Sequence, residues 1–155
     1  MKKYKPYLAI ALILPILTLP FLGRSTFKRF YPSVLFICSI VLLESIVAYK
    51  RVWWWFYNKI MPKPISDMFL IIAGPFFVGS LWILKFTYGK FKRYLAINFI
   101  IDTIFVYIII NLFKKIGYGS LVRIKRYQFL SLFLLKAILL YMFQFVREKR
   151  GTVLR

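Results

Sequence analysis

Residues 94–113 read YLAINFIIDTIFVYIIINLF, and this stretch decides the fold. At ~1.5 Å of rise per residue, a helix of that length measures ~30 Å, the thickness of a bilayer's hydrocarbon core. Asn98 and Asp102 lie near its middle on one helical face, at i and i+4. A carboxylate at that depth costs roughly 2.5–3.5 kcal/mol on insertion scales, so it needs a partner or a wet cavity. The one basic residue deep inside another apolar run is Lys136. Counted from the end shared by Phe113 and Tyr127, Asp102 and Lys136 differ in depth by ~3 Å. Consecutive elements usually pack side by side, so an Asp102–Lys136 ion pair is expected, with Asn98 donating a further hydrogen bond. Such a pair either fixes helix register or serves as a proton or ion relay.

The rest of the chain has the same character. Hydrophobic residues make up 61% of it and the mean hydropathy is +0.72, against ~45–50% apolar residues in soluble domains. The expectation is all-α: a polytopic membrane helix bundle in one domain, with spans at residues 7–22, 32–49, 68–86, 94–113 and 127–146. The first span is short and carries Pro15 and Pro20, which disturb its ladder, so it either crosses or re-enters. It also follows three lysines, as a signal peptide would. Its cleavage site, Gly23-Arg24-Ser25, is poor, and a retained anchor is favoured.

Outside the spans the sequence turns basic and aromatic. Residues 24–31 read as a basic turn, and residues 53–57, WWWFY, as an interfacial belt with Trp53, Trp54 and Trp55 as anchors. A carbohydrate- or base-stacking platform is the less favoured reading of that run. Glu44 lies seven residues before Arg51, two turns away on nearly one face, and a snorkelling Arg51 is expected to reach it. Gly74 and Pro75 mark a helix break that means either close helix packing or a partly unwound binding turn.

Composition excludes much chemistry. The chain has no histidine and one cysteine, Cys38, inside an apolar span, where it reads as a small buried hydrophobe. That removes His-based triads, His or multi-Cys zinc sites and intramolecular disulfides, and no metal or cofactor is expected. Nucleotide-loop, HExxH and GxSxG patterns are missing. Ser131 and Lys136 sit about 140° apart around one helix, which misaligns a Ser–Lys dyad and leaves an intramembrane hydrolase a remote alternative.

The net charge of +20 comes from 24 Lys and Arg against four acids. All but one of those cations lie at or between apolar spans, where the natural anion is a lipid headgroup rather than nucleic acid. Five crossings would place twelve cations on one side and eleven on the other, so the positive-inside rule leaves orientation open.

The block at residues 74–82, GPFFVGSLW, followed by Tyr88-Gly89-Lys90-Phe91, Asn98 and Asp102, resembles small multi-pass membrane proteins of bacillus-like Gram-positive bacteria. The likeness runs from Trp53 onward. It implies a bacterial cytoplasmic membrane and, since that group has no assigned activity, no functional residues. For want of chemistry, the expected function is a non-catalytic membrane scaffold or accessory, regulatory subunit. A homo-oligomer or another membrane protein is its expected partner. The alternative is a small oligomeric transporter or channel subunit built on Asp102 and Lys136.

Overall fold

The computed structural model describes residues 5–57 and 64–153. Five helices run up and down. Helix α1, residues 5–22, joins an α-helical Lys5–Ile13, a 3-10 segment Leu14–Thr18 and a last turn Leu19–Leu22. Helix α2 is Arg24–Arg51. Helix α3, residues 64–87, is interrupted by a π-helical turn at Ile72–Phe76. Helix α4, Phe91–Lys115, carries a second π-helical turn at Phe105–Ile109. Helix α5 is Arg126–Val153. A two-stranded ribbon, β1 (Trp54–Phe56) against β2 (Gly119–Leu121), ties the end of α2 to the α4–α5 link.

Four of these helices are long and apolar enough to cross a membrane. Their outward faces are greasy: Phe99, Ile100, Ile104, Ile108 and Leu112 form an exposed stripe along α4. In water such a surface would aggregate; facing lipid it costs nothing. This is a multi-pass membrane protein.

The first helix keeps one direction instead of doubling back, and its apolar part, Ala9–Leu22, is shorter than the other four helices. Each proline of α1 sits at the head of a new segment, where its missing N–H matters least, so the helix tightens without turning back. Its side-by-side contacts advance steadily along α3. The Leu12 carbonyl lies against Gly74, where an added Cβ would overlap it. Farther on, the Trp82 indole donates to Thr18 Oγ1 at 3.0 Å. Lys85 then donates to the last carbonyls, Phe21 O and Leu22 O, at 3.3 and 3.1 Å. Gly74 thus supplies the close packing expected of it.

The basic turn expected at residues 24–31 is helix. Gly23, with φ 87°, reverses the chain alone, and α2 begins at the next residue. Pro32 lies inside α2 and removes one rung of its ladder. At its far end α2 closes with Trp53 N–H donating to Ala48 O and Val52 N–H to Tyr49 O, the paired bonds of a Schellman cap. Val52 holds the left-handed position, φ 54°, that glycine usually fills.

The expected interfacial belt is in part a strand. Trp54–Phe56 pairs with Gly119–Leu121 in antiparallel register, Trp55 opposite Ser120. Val122 N–H to Trp53 O (2.8 Å) and Tyr57 N–H to Tyr118 O (2.9 Å) extend the ribbon at both ends. A Cβ on Gly119 would press on Trp55 O at 2.9 Å, so the strands meet this closely only with glycine there.

The main core lies towards the end opposite the ribbon. Leu22, Phe30, Val34, Ile37, Leu81, Leu84 and Tyr94 are at most 3% exposed and pack against Ala137, Leu140 and Tyr141. A smaller cluster of Val106, Ile110 and Phe129 sits beneath the ribbon.

Candidate functional site: a charged cluster on an intramembrane cavity

Two helices bring the strongest pair together. The buried stripe of α2 runs Val34, Ile37, Val41, Ser45, Ala48, and Glu44 flanks it on the side towards α5. On α5, Ala137 is buried in one cluster with Tyr94 of α4, whose hydroxyl donates to the Ala137 carbonyl at 2.8 Å. Lys136 lies ~100° around the same helix and is thereby turned to α2. Its ammonium donates to Glu44 Oε2 at 2.8 Å, with side chains only 7% and 16% exposed. The same ammonium stands 4.4 Å from the Phe133 ring centroid.

This corrects the expected pairing. Lys136 binds Glu44, not Asp102, because sequence gives depth but not the direction a side chain faces. Asn98 donates nothing to the pair either: its Nδ2 is spent on Tyr94 O, one turn back, at 2.9 Å. Arg51 does not reach Glu44; it is exposed, and the carboxylate it was expected to meet is engaged by Lys136. The signal that could have found Glu44 was its depth. It lies roughly 11 Å inside the Arg51 end and Lys136 roughly 15 Å inside the Arg126 end, a match nearly as good as the one to Asp102.

Asp102 does join the site, by another route. Glu44, Lys136, Asp102 and Asn98 all line one cavity of about 270 Å³. Asp102 is half-buried and within electrostatic reach of Lys136, yet among the described residues it accepts no hydrogen bond and closes no ion pair. Glu44 Oε1 is also buried without a hydrogen bond. Among the described residues, the charged groups on the wall are therefore two carboxylates and one ammonium.

The remaining wall is apolar. Phe105, Phe133 and Phe129 form a run of edge-on rings with successive centroids 5.6 and 4.8 Å apart, continued by Trp54, tilted at 5.5 Å from Phe129. Trp54, Trp55 and the β2 residues close the cavity at the ribbon end. Both π-helical turns border it, through Ile72, Pro75 and Phe76 on one side and Phe105 on the other. The Gly74-Pro75 break is thus a widened turn, not an unwound one. π-helical turns concentrate at functional sites because they displace one face of a helix against its ladder. Gly79 also lines the cavity, and a Cβ added there meets nothing within 4 Å.

No family model, curated protein or solved structure matches this chain. The site is read from its own geometry.

A second polar cluster braces the opposite end. Arg29 grips Glu148 with two bonds, 2.6 and 3.0 Å, tying the start of α2 to the end of α5. Gln144 donates to Glu148 at 2.7 Å and accepts from Ser33 at 2.6 Å. The Arg29 guanidinium also lies 5.1 Å from the Tyr88 ring, and burial together with the Glu148 carboxylate pushes the Tyr88 phenol up to about 12. This cluster has its donors and acceptors matched, and it reads as architecture.

Proposed function

We propose that this protein works by holding a small amphipathic molecule inside the bilayer, as a non-catalytic binding or transport subunit. The supporting observation is a cavity of about 270 Å³ whose aromatic wall ends on Glu44, Lys136 and Asp102. A buried ion pair that only fixed helix register would need no such space beside it, and close packing would serve it better. The scaffold reading keeps the Glu44–Lys136 pair as its support and leaves the cavity without a role. The twelve and eleven cations flanking the spans favour anionic lipid headgroups on both faces. The bacterial cytoplasmic membrane is the proposed location, on the resemblance noted above.

Gly79 provides the test. Gly79→Leu grows a side chain into the cavity with no backbone in its way. In nanodiscs, the wild type should bind benzyltrimethylammonium or its uncharged carbon isostere neopentylbenzene saturably, and Gly79→Leu should abolish that binding while the protein stays folded. Absence of saturable binding of either probe, or equal binding by Gly79→Leu, would overturn the reading.

A further inference from the structure

We infer that the cavity is built for a lipophilic monovalent cation, an alkyl- or arylalkylammonium, with its charged end between Asp102 and Glu44. This rests on the binding function proposed above and names its ligand class. With all three groups ionised, the described residues of the wall carry one negative charge in excess. Among the described residues, the four carboxylate oxygens of Glu44 and Asp102 receive one hydrogen bond between them, from Lys136 to Glu44 Oε2. Glu44 Oε1 is buried and unmet, and Asp102 is engaged by no donor among the described residues. In oil, carboxylate charge left uncompensated in this way is costly, and a second positive charge offsets it.

Each other class of ligand fits worse. An anion would add a second uncompensated negative charge beside Asp102. An uncharged apolar molecule would leave both oxygen sets as they are. The wall, by contrast, already carries an ammonium in the manner proposed: Lys136 stands against one carboxylate oxygen and over the Phe133 face at 4.4 Å. Phe105 and Phe129 offer further ring faces next to Phe133 for the ligand's own ammonium and its apolar body. The cavity continues past them to Trp54 and Met68, which suits an occupant with a single charged end.

The experiment compares three molecules of nearly one shape in nanodiscs: benzyltrimethylammonium, neopentylbenzene and phenylmethanesulfonate. The ammonium should bind at least tenfold more tightly than the isostere, and the sulfonate most weakly. Asp102→Asn should erase the preference, lowering ammonium affinity tenfold or more while leaving the isostere unchanged. Because Asp102 closes no ion pair, that variant keeps the fold, which the isostere's unchanged binding verifies. Equal affinity for ammonium and isostere, both lost in Gly79→Leu, would overturn the cation assignment while sparing the binding function. A preference for the sulfonate would do the same. Binding of none of the three would end both.

Discussion

The two ends of the bundle are built to different standards. At the Arg29–Glu148 end, large side chains are buried in the main core and the polar groups described above are matched. Ser33 meets Gln144, Gln144 meets Glu148, and Tyr94 meets the Ala137 carbonyl. At the ribbon end there are two π-helical turns, a valine in a left-handed cap, a cavity and a carboxylate oxygen with nothing to accept from. Natural chains break local rules where function requires it and compensate elsewhere. The well-packed end holds the helices in register, so the other can carry unmatched charge beside open space.

The contrast can be broken by substitution. Its severest trial is Lys136→Met, which leaves Glu44 charged, buried and alone, at about 3–5 kcal/mol. Folded protein should nearly vanish from size-exclusion profiles of detergent extracts. Glu44→Gln combined with Lys136→Met should restore most of it, since the only carboxylate then left on the described wall is the half-buried Asp102, which closes no ion pair. A double variant as poor as the single one would show that the pair does more than cancel itself.

A smaller effect is expected at the packed end. Ser33→Ala removes the donor to Gln144, a side chain with no exposed surface, and should cost about 1–3 kcal/mol. A fall in the midpoint of thermal unfolding checks this; an unchanged midpoint would mean that this end tolerates unmatched groups as well as the other.

The smallest effect has the opposite sign. Gly79→Ala adds a methyl where nothing lies within 4 Å and improves helix propensity, for a gain of up to ~1 kcal/mol. The midpoint should rise. A drop would indicate that the ribbon end is as tightly fitted as its counterpart, and the comparison would fail.

The helices were legible because hydropathy and length are summed over many residues. The span expected at 94–113 lies inside Phe91–Lys115, and that at 127–146 inside Arg126–Val153. Residues 24–31 were misread because lysines and arginines signal a headgroup layer whether or not the backbone there is helical. The ribbon went unseen for a different reason: strands of three residues carry no periodicity, and WWWFY suits a membrane surface equally well. Within the site, residue types and depths were readable, and Glu44, Asn98, Asp102 and Lys136 do line one cavity. Their pairing was not, since it turns on the ~100° between Lys136 and Ala137 around α5. A cavity has no letter of its own in a sequence.

The ribbon constrains how this molecule can move. Its strands belong to linkers more than sixty residues apart, yet main-chain bonds from Trp53 to Tyr57 lash them together over the cavity's end. Prising that strap open along the bundle axis means breaking several main-chain hydrogen bonds at once, whereas parting two helices that it does not join breaks side-chain packing and a few bonds made by side chains. Of these two ways of opening the bundle, parting helices in the flank is therefore the cheaper.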